Sequence, residues 1–166
     1  MIEFEIIDKA NLGRIREIAY QTWPEAYKNV ITTEQIAYML KMMYDNHPLE
    51  IQLQAGHIFI ILKEDGKDMG FVAFEKNYED SGSTKIHKLY VLPECQGKGF
   101  GKNLVEKVIK EIADFNQKSL ILNVNKKNPS LNFYEKIGFK KAKELIIDIG
   151  NGFLMDDYIM ELEIRK

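Results

Sequence analysis

The sequence predicts an α/β (α+β) fold, with helices packed on a mixed, mostly antiparallel sheet. Three observations predict it. Helical apolar spacing gives way to alternation after Gly56. Strand patterns then follow one another across a short turn at Glu64, Asp65, Gly66 and Lys67. Further on, strand and helix patterns alternate around a glycine-rich segment, 97–101. The chain has 166 residues, 45% hydrophobic and 29% charged, which suits one sizeable core and a single domain over 1–166.

Taken in order, residues 2–7 alternate as a strand. Residues 10–26 place Leu12, Ile15, Ile18, Ala19 and Trp23 on one helical stripe. Thr32 or Thr33 caps a second helix anchored by Ile36, Met39, Leu40 and Met43, and His47-Pro48 interrupts it. A short amphipathic turn, 49–55, ends at Gly56. Strands are expected over 57–63 and 69–75, joined by a hairpin in which Gly66 suits a positive φ. A polar tip at 77–83 leads to a strand over 84–92, stopped by Pro93. Beyond the glycines, Leu104, Val105, Val108, Ile109 and Ile112 form a core-facing helical stripe. Residues 119–125 read as a strand. Asn128 then caps a helix with Pro129 in its first turn, and Gly138 ends it. Strands 140–149 and 154–164, joined at 150–152, complete about seven strands and about four helices.

Charge and cysteine content narrow the function. There are 23 basic and 25 acidic side chains, a net charge of -2, so a broad nucleic-acid face is not expected. Cys95 is the single cysteine, which precludes an internal disulfide, and one thiol with three histidines shows no metal-ligand spacing. The amino terminus does not read as a signal peptide, and no apolar run is long enough to span a membrane, so a cytoplasmic protein is expected.

The segment Gln96, Gly97, Lys98, Gly99, Phe100, Gly101, Lys102 lies between a strand and a helix. It is not a P-loop, because Asn103 follows Lys102. Nor is it a dinucleotide fingerprint, whose third glycine is replaced by Lys102. Glycines and a helix start still suit an anion, and Lys98 and Lys102 add charge at the rim. On its own the segment reads equally well as a glycine-relieved turn.

Context decides between the two. Gln-x-x-Gly-x-Gly after Leu89, Tyr90 and Val91 resembles the coenzyme A pyrophosphate loop of GNAT acetyltransferases. A second block resembles the same family: Leu122 to Asn125, then Asn128, Pro129 and Ser130, then Phe133 to Phe139. The resemblance implies the GNAT acyl-CoA N-acyltransferase fold, with acetyl-CoA (coenzyme A) as cofactor. It implies that the backbone at Leu89, Tyr90 and Val91 holds the pantetheine arm and that 96–102 cradle the pyrophosphate. Asn128, Ser130 and Tyr134 would line the other side. Strands 84–92 and 119–125 are expected to splay and admit the pantetheine. Asn123 or Asn125 then faces cofactor or acceptor, or else serves strand-end hydrogen bonding.

The implied reaction is attack of a neutral amine on the thioester. The amine must lose a proton, the oxyanion needs a donor, for which the Val91 N–H is the family's candidate, and the thiolate needs a proton. Tyr134 matches the family's acid. Some members use a glutamate base on the strand before the loop, and Lys85 stands near that position here. His87 is the alternative base, since alternation places it on one face with Leu89 and Val91, like a strand histidine of arylalkylamine N-acetyltransferases. Cys95 is read as a bystander, because the family transfers directly.

The stretch 148–158 and the Thr22-Trp23…Tyr27 segment resemble PaiA-like spermine/spermidine acetyltransferases. That implies a small-molecule amine acceptor, a polyamine above all, with Trp23 and Tyr27 as an aromatic wall and Glu25, Asp156 and Asp157 attracting a polycation. The alternative, residue by residue, is Trp23 in the core and aspartates that are solvated hairpin charges. Acetylation of protein N-termini or lysines, and a non-catalytic acyl-CoA-binding regulatory domain, are the other readings. A homodimer is compatible with an exposed carboxyl-terminal strand edge.

Overall fold

A computed structural model describes residues 1–164. Strands β1 (Ile2–Ile6), β2 (Ile58–Glu64), β3 (Lys67–Glu75), β4 (Ser83–Val91), β5 (Ser119–Asn125), β6 (Lys140–Gly150) and β7 (Phe153–Glu163) form one sheet in the order β1-β2-β3-β4-β5-β7-β6. Every neighbouring pair is antiparallel except β4–β5, as expected of the mixed fold. Phe71, Val72, Ala73 and Phe74 of β3 are all 0% exposed. Successive strand residues point to opposite faces, so both faces of the sheet centre are covered.

Helices α1 (Leu12–Tyr27), α2 (Thr33–Tyr44) and α3 (Asn46–Gln54) cover one face, and α4 (Phe100–Glu111) packs on β3 and β4 from the other. Thr32 caps α2, its hydroxyl accepting from the Gln35 N–H at 3.0 Å. Helix α5 (Ser130–Lys136) starts directly after Pro129, the Asn128 side chain accepts from the Ser130 N–H at 2.9 Å in the turn leading into it, and Gly138 follows with φ 110°. Among the described residues there are five α-helices, one more than the sequence pattern suggests. His47-Pro48 does not break the chain into a turn. Pro48 sits in the first turn of α3, where a missing N–H costs no intrahelical bond. Leu49, fully buried, anchors that helix. Among the described residues, no helix is long and apolar enough to cross a membrane. Strand β6 ends the sheet, and its Ile146 is 65% exposed.

Two irregularities make the site. Strands β4 and β5 pair only from Ser83–Ser119 to Ile86–Leu122. The Ser83 and Ser119 hydroxyls (2.7 Å) and the Thr84–Gln117 bond (2.8 Å) fasten that end. Beyond it β4 stays with β3 and β5 with β7, so the strands part. The second irregularity is a bulge. Ala73 pairs with Lys88 and Phe74 with Ile86, which leaves His87 as the extra residue.

Candidate active site

The opening between β4 and β5 is flanked on the α4 side by main chain. Gly97 (φ 84°) and Gly99 (φ 81°) adopt left-handed conformations, and Gly99 is the N-cap of α4. Among the described residues, none of the six amides from Gly97 to Lys102 finds a protein acceptor. The last three belong to the first turn of α4, whose N–H groups have no intrahelical partner. Together they form a concave set of donors at the positive end of a helix, which suits a diphosphate. A Cβ at Gly101 would meet the Phe133 ring at 3.0 Å, so glycine there lets α4 and α5 approach. Between them lies a cavity of about 390 Å³ lined by Leu89, Val91, the loop, Pro129, Ser130, Phe133 and Tyr134. Lys98 and Lys102 make only long contacts, 3.9 Å to Glu64 and 4.0 Å to Glu106, and stay on the surface. Gln96 turns back, its amide donating to the Val91 carbonyl at 3.1 Å. Cys95 is 4% exposed, and burial pushes its thiol pKa up, which disfavours a nucleophilic thiolate.

Tyr134 lines both this cavity and the narrow gap between the parted strands. Its ring stands edge-on to Phe133 (5.1 Å) and Phe139 (5.6 Å), which fixes its direction. Burial pushes its hydroxyl pKa above the usual phenol value, so it carries its proton throughout the neutral range. Tyr27 and Tyr90 share a hydroxyl hydrogen bond of 2.8 Å nearby, and burial raises the Tyr27 pKa to about 12.

His87 does not lie in simple alternation with Leu89 and Val91. At the bulge its ring stacks on His57 (4.0 Å, 6°), and His87 also lines the narrow gap with Asn123 and Tyr134. The Nε2 atoms of His87 and His57 lie 3.0 and 3.3 Å from the same Glu75 oxygen. Three residues distant in sequence thus meet in a cluster that single-residue spacing did not reveal, with ligand atoms within 4.8 Å of one another. Two rings stacked in parallel cannot both hold one ion in their planes, and Lys85 and Lys88 lie close enough to add positive charge. Burial, then His57 and the two lysines, pushes the His87 pKa down to about 2, and the ring stays neutral. Lys88 is 4% exposed, bonded to Gln52 and set against the Tyr44 and Phe59 rings at 5.2 and 5.6 Å. Burial lowers its pKa to about 7.

The remaining sequence-predicted residues divide. Trp23 is 1% exposed and donates to the Tyr44 hydroxyl at 3.2 Å. It backs Tyr27 at 4.5 Å and forms no open wall. Asp156 is solvated and pairs with Lys126 at 3.0 Å, and Glu25 pairs with Lys28 at 3.1 Å. Asn125 is spent on its own turn, accepting from the Lys127 N–H at 2.9 Å. Asn123 lines the gap. Asp157 differs from its neighbour: it is 5% exposed, its Oδ1 is buried with no hydrogen-bond partner among the described residues, and burial raises its pKa to about 6.

Residues 14–139 match a family model described as the acetyltransferase (GNAT) family. An L-amino acid N-acyltransferase of Escherichia coli, MnaT, is 28% identical over 122 residues, 70% of each chain. A ribosomal protein bS18-alanine N-acetyltransferase of Haemophilus influenzae is 26% identical over 118 residues, covering 70% of this chain and 76% of that one. Among solved structures, the PaiA N-acetyltransferase of Thermoplasma acidophilum in complex with coenzyme A superposes with a TM-score of 0.81, at 23% identity over 99% of both chains.

Proposed function

The chain belongs to the GNAT family of acetyltransferases, and from that premise we propose that it moves an acetyl group from acetyl-CoA to a primary amine. The observation that carries this reading is the row of six partnerless amides, 97–102, at the mouth of the gap that Tyr134 lines. Acetyl-CoA supplies an activated thioester. The residues of this chain do the rest. The loop amides and the α4 terminus hold the diphosphate. The edge of β4 past Ile86, bare of β5, offers main-chain groups at Leu89 and Val91 to the pantetheine amides and the thioester oxygen. Tyr134 keeps its proton until a thiolate forms and then gives it up.

The acceptor reading is a small amine, with a polyamine as the first candidate. It is supported by the buried carboxylate of Asp157 and the Tyr27 hydroxyl on the acceptor side. A second reading rests on Lys85. It is partly buried, its pKa is lowered by burial, and among the described residues it has no ion-pair partner, which suits the carboxylate of an amino acid. The test is steady-state release of the coenzyme A thiol over spermidine, spermine, aralkylamines, amino acids and amino-terminal peptides. Turnover with polyamines is the expected outcome. Turnover confined to amino acids or peptides overturns the polyamine assignment, and no acetyl-CoA affinity overturns the whole reading. Tyr134→Phe is expected to cut kcat by about 10²–10³ while acetyl-CoA binding persists.

A further inference from the structure

We propose that Asp157, rather than His87, takes the proton from the acceptor ammonium. This deepens the acetyl-transfer reading and rests on it. Asp157 pairs with Asn125 at the end of β5, beyond the point where β4 parts from β5, and it lies close enough to feel Lys85 of β4 and Tyr27, whose side chain lines the gap. Its Oδ1 is buried and accepts nothing. A buried carboxylate oxygen without a donor is costly in a resting protein, and a site that must receive an ammonium accounts for it. The groups facing it are few. Tyr27 comes from α1 and Lys85 from β4, Asp156 precedes it on β7, and the residues opposite on β5 and β6, Asn125 and Leu145, carry no charge. Lys85 lowers its pKa and Asp156 raises it, but burial is the largest influence. Asp157 therefore titrates closer to neutrality than a solvated carboxylate, and an ammonium brought beside it meets an acceptor of usable strength.

His87 is less suited. Its Nε2 is engaged with Glu75, its face is covered by His57, and the neighbouring lysines oppose a positive ring.

The step balances. The ammonium gives one proton to Asp157 Oδ1 and regains its lone pair. That pair forms the C–N bond at the thioester carbon, and the C–S bond breaks. Tyr134 protonates the departing thiolate and recovers its proton from the new amide nitrogen. Asp157 returns its proton to water. An ammonium and a thioester become an amide, a thiol and one released proton.

The test is the pH profile of acetyl transfer from pH 5 to 9.5 for the wild-type chain, Asp157→Asn and His87→Gln. Wild-type kcat should show an acid limb near pH 6 that stays in place when acceptors of different amine pKa are used. Asp157→Asn should lose about 10²-fold or more in kcat at pH 7, climb about tenfold per pH unit as free amine forms, and keep the wild-type affinity for acetyl-CoA. His87→Gln should keep the limb. The inference is overturned if Asp157→Asn raises KM with kcat intact, which would make Asp157 an anchor only. A limb that vanishes in His87→Gln also overturns it. Should Asp157→Asn fail to fold, the wild-type limb still decides: one that tracks the amine pKa is fatal to the proposal. A wild-type chain that turns over no amine at all overturns the acetyl-transfer reading and this inference with it.

Discussion

On the α4 side of the gap between β4 and β5, the lining is main chain: glycines at positive φ, a helix start and amides left without acceptors. On the α1 side it is side chain: the Tyr27–Tyr90 hydroxyl pair, the His57–Glu75–His87 cluster, Lys88 under its aromatic rings and the partnerless Asp157. The first surface is open and its donors are free in solvent, so it costs the fold little beyond glycine entropy. The second is dry, and its ionisable groups are held away from their ordinary pKa values. That difference teaches where stability has been exchanged for chemistry. Removing charge on the α1 side should stabilise the fold, and removing conformational freedom on the α4 side should weaken the ligand.

The largest expected effect is at Lys88. Its folded pKa lies near 7, below the ordinary lysine value, so the unfolded chain binds more protons between about pH 7 and pH 10 and stability rises with pH across that window. Lys88→Met should therefore raise stability by about 2–4 kcal/mol at pH 7 or below, offset in part by the lost Gln52 and aromatic contacts, with the gain shrinking toward pH 10. Denaturant melts at pH 6.5 and pH 9.5 check it. A gain equal at both pH values would mean that Lys88 is not a charge buried on the α1 side.

Asp157 gives a smaller effect of opposite pH dependence. Its pKa is raised from 3.8 to about 6, so the stability linked to its proton is present below about pH 4 and is lost as pH rises through 6. Asp157→Asn should be more stable than the parent by about 1–3 kcal/mol above pH 7 and indistinguishable from it below pH 4. Thermal melts across that range measure it. A destabilised variant at pH 8 would show that Asp157 has a structural partner after all.

The same contrast explains what could be read from the sequence. The loop from Gln96 to Lys102 and the Asn128-to-Phe139 block are contiguous, and their glycines, cap and proline act through local backbone conformation, so they were legible. The order of strands and helices was legible for the same reason, apart from α3. There Pro48 could mean either a break or a first turn, and only the packing of Leu49 decides. The α1 side was not legible. His57 just before β2, Glu75 at the end of β3 and His87 in β4 meet only because the hairpin register and a one-residue bulge align them. Trp23 and Tyr27 sit one helical turn apart with the same sequence signal, yet one is sealed in the core and the other reaches the gap. Asp156 and Asp157 are neighbours of one type. Strand alternation sends the first to Lys126 and the solvent and the second inward.

The smallest effect is on the main-chain side, and it tests whether that side works through conformation rather than charge. Gly99 caps α4 at φ 81°, with no atom within 4 Å of where a Cβ would stand, so an alanine there meets strain and no clash. Gly99→Ala should cost about 1 kcal/mol of loop preorganisation, which is a weakening of acetyl-CoA binding by about five- to tenfold. Because the acceptor side is built from other elements, KM for the amine should stay unchanged at saturating acetyl-CoA. Lys98→Ala and Lys102→Ala, at exposed side chains with only long ion contacts, should weaken binding less than Gly99→Ala and in a salt-dependent way. Titration calorimetry at 50 and 500 mM salt separates the two. If the lysine variants lose more affinity than the glycine variant, the anion is held by side-chain charge, and the division of the gap into a main-chain half and a side-chain half fails.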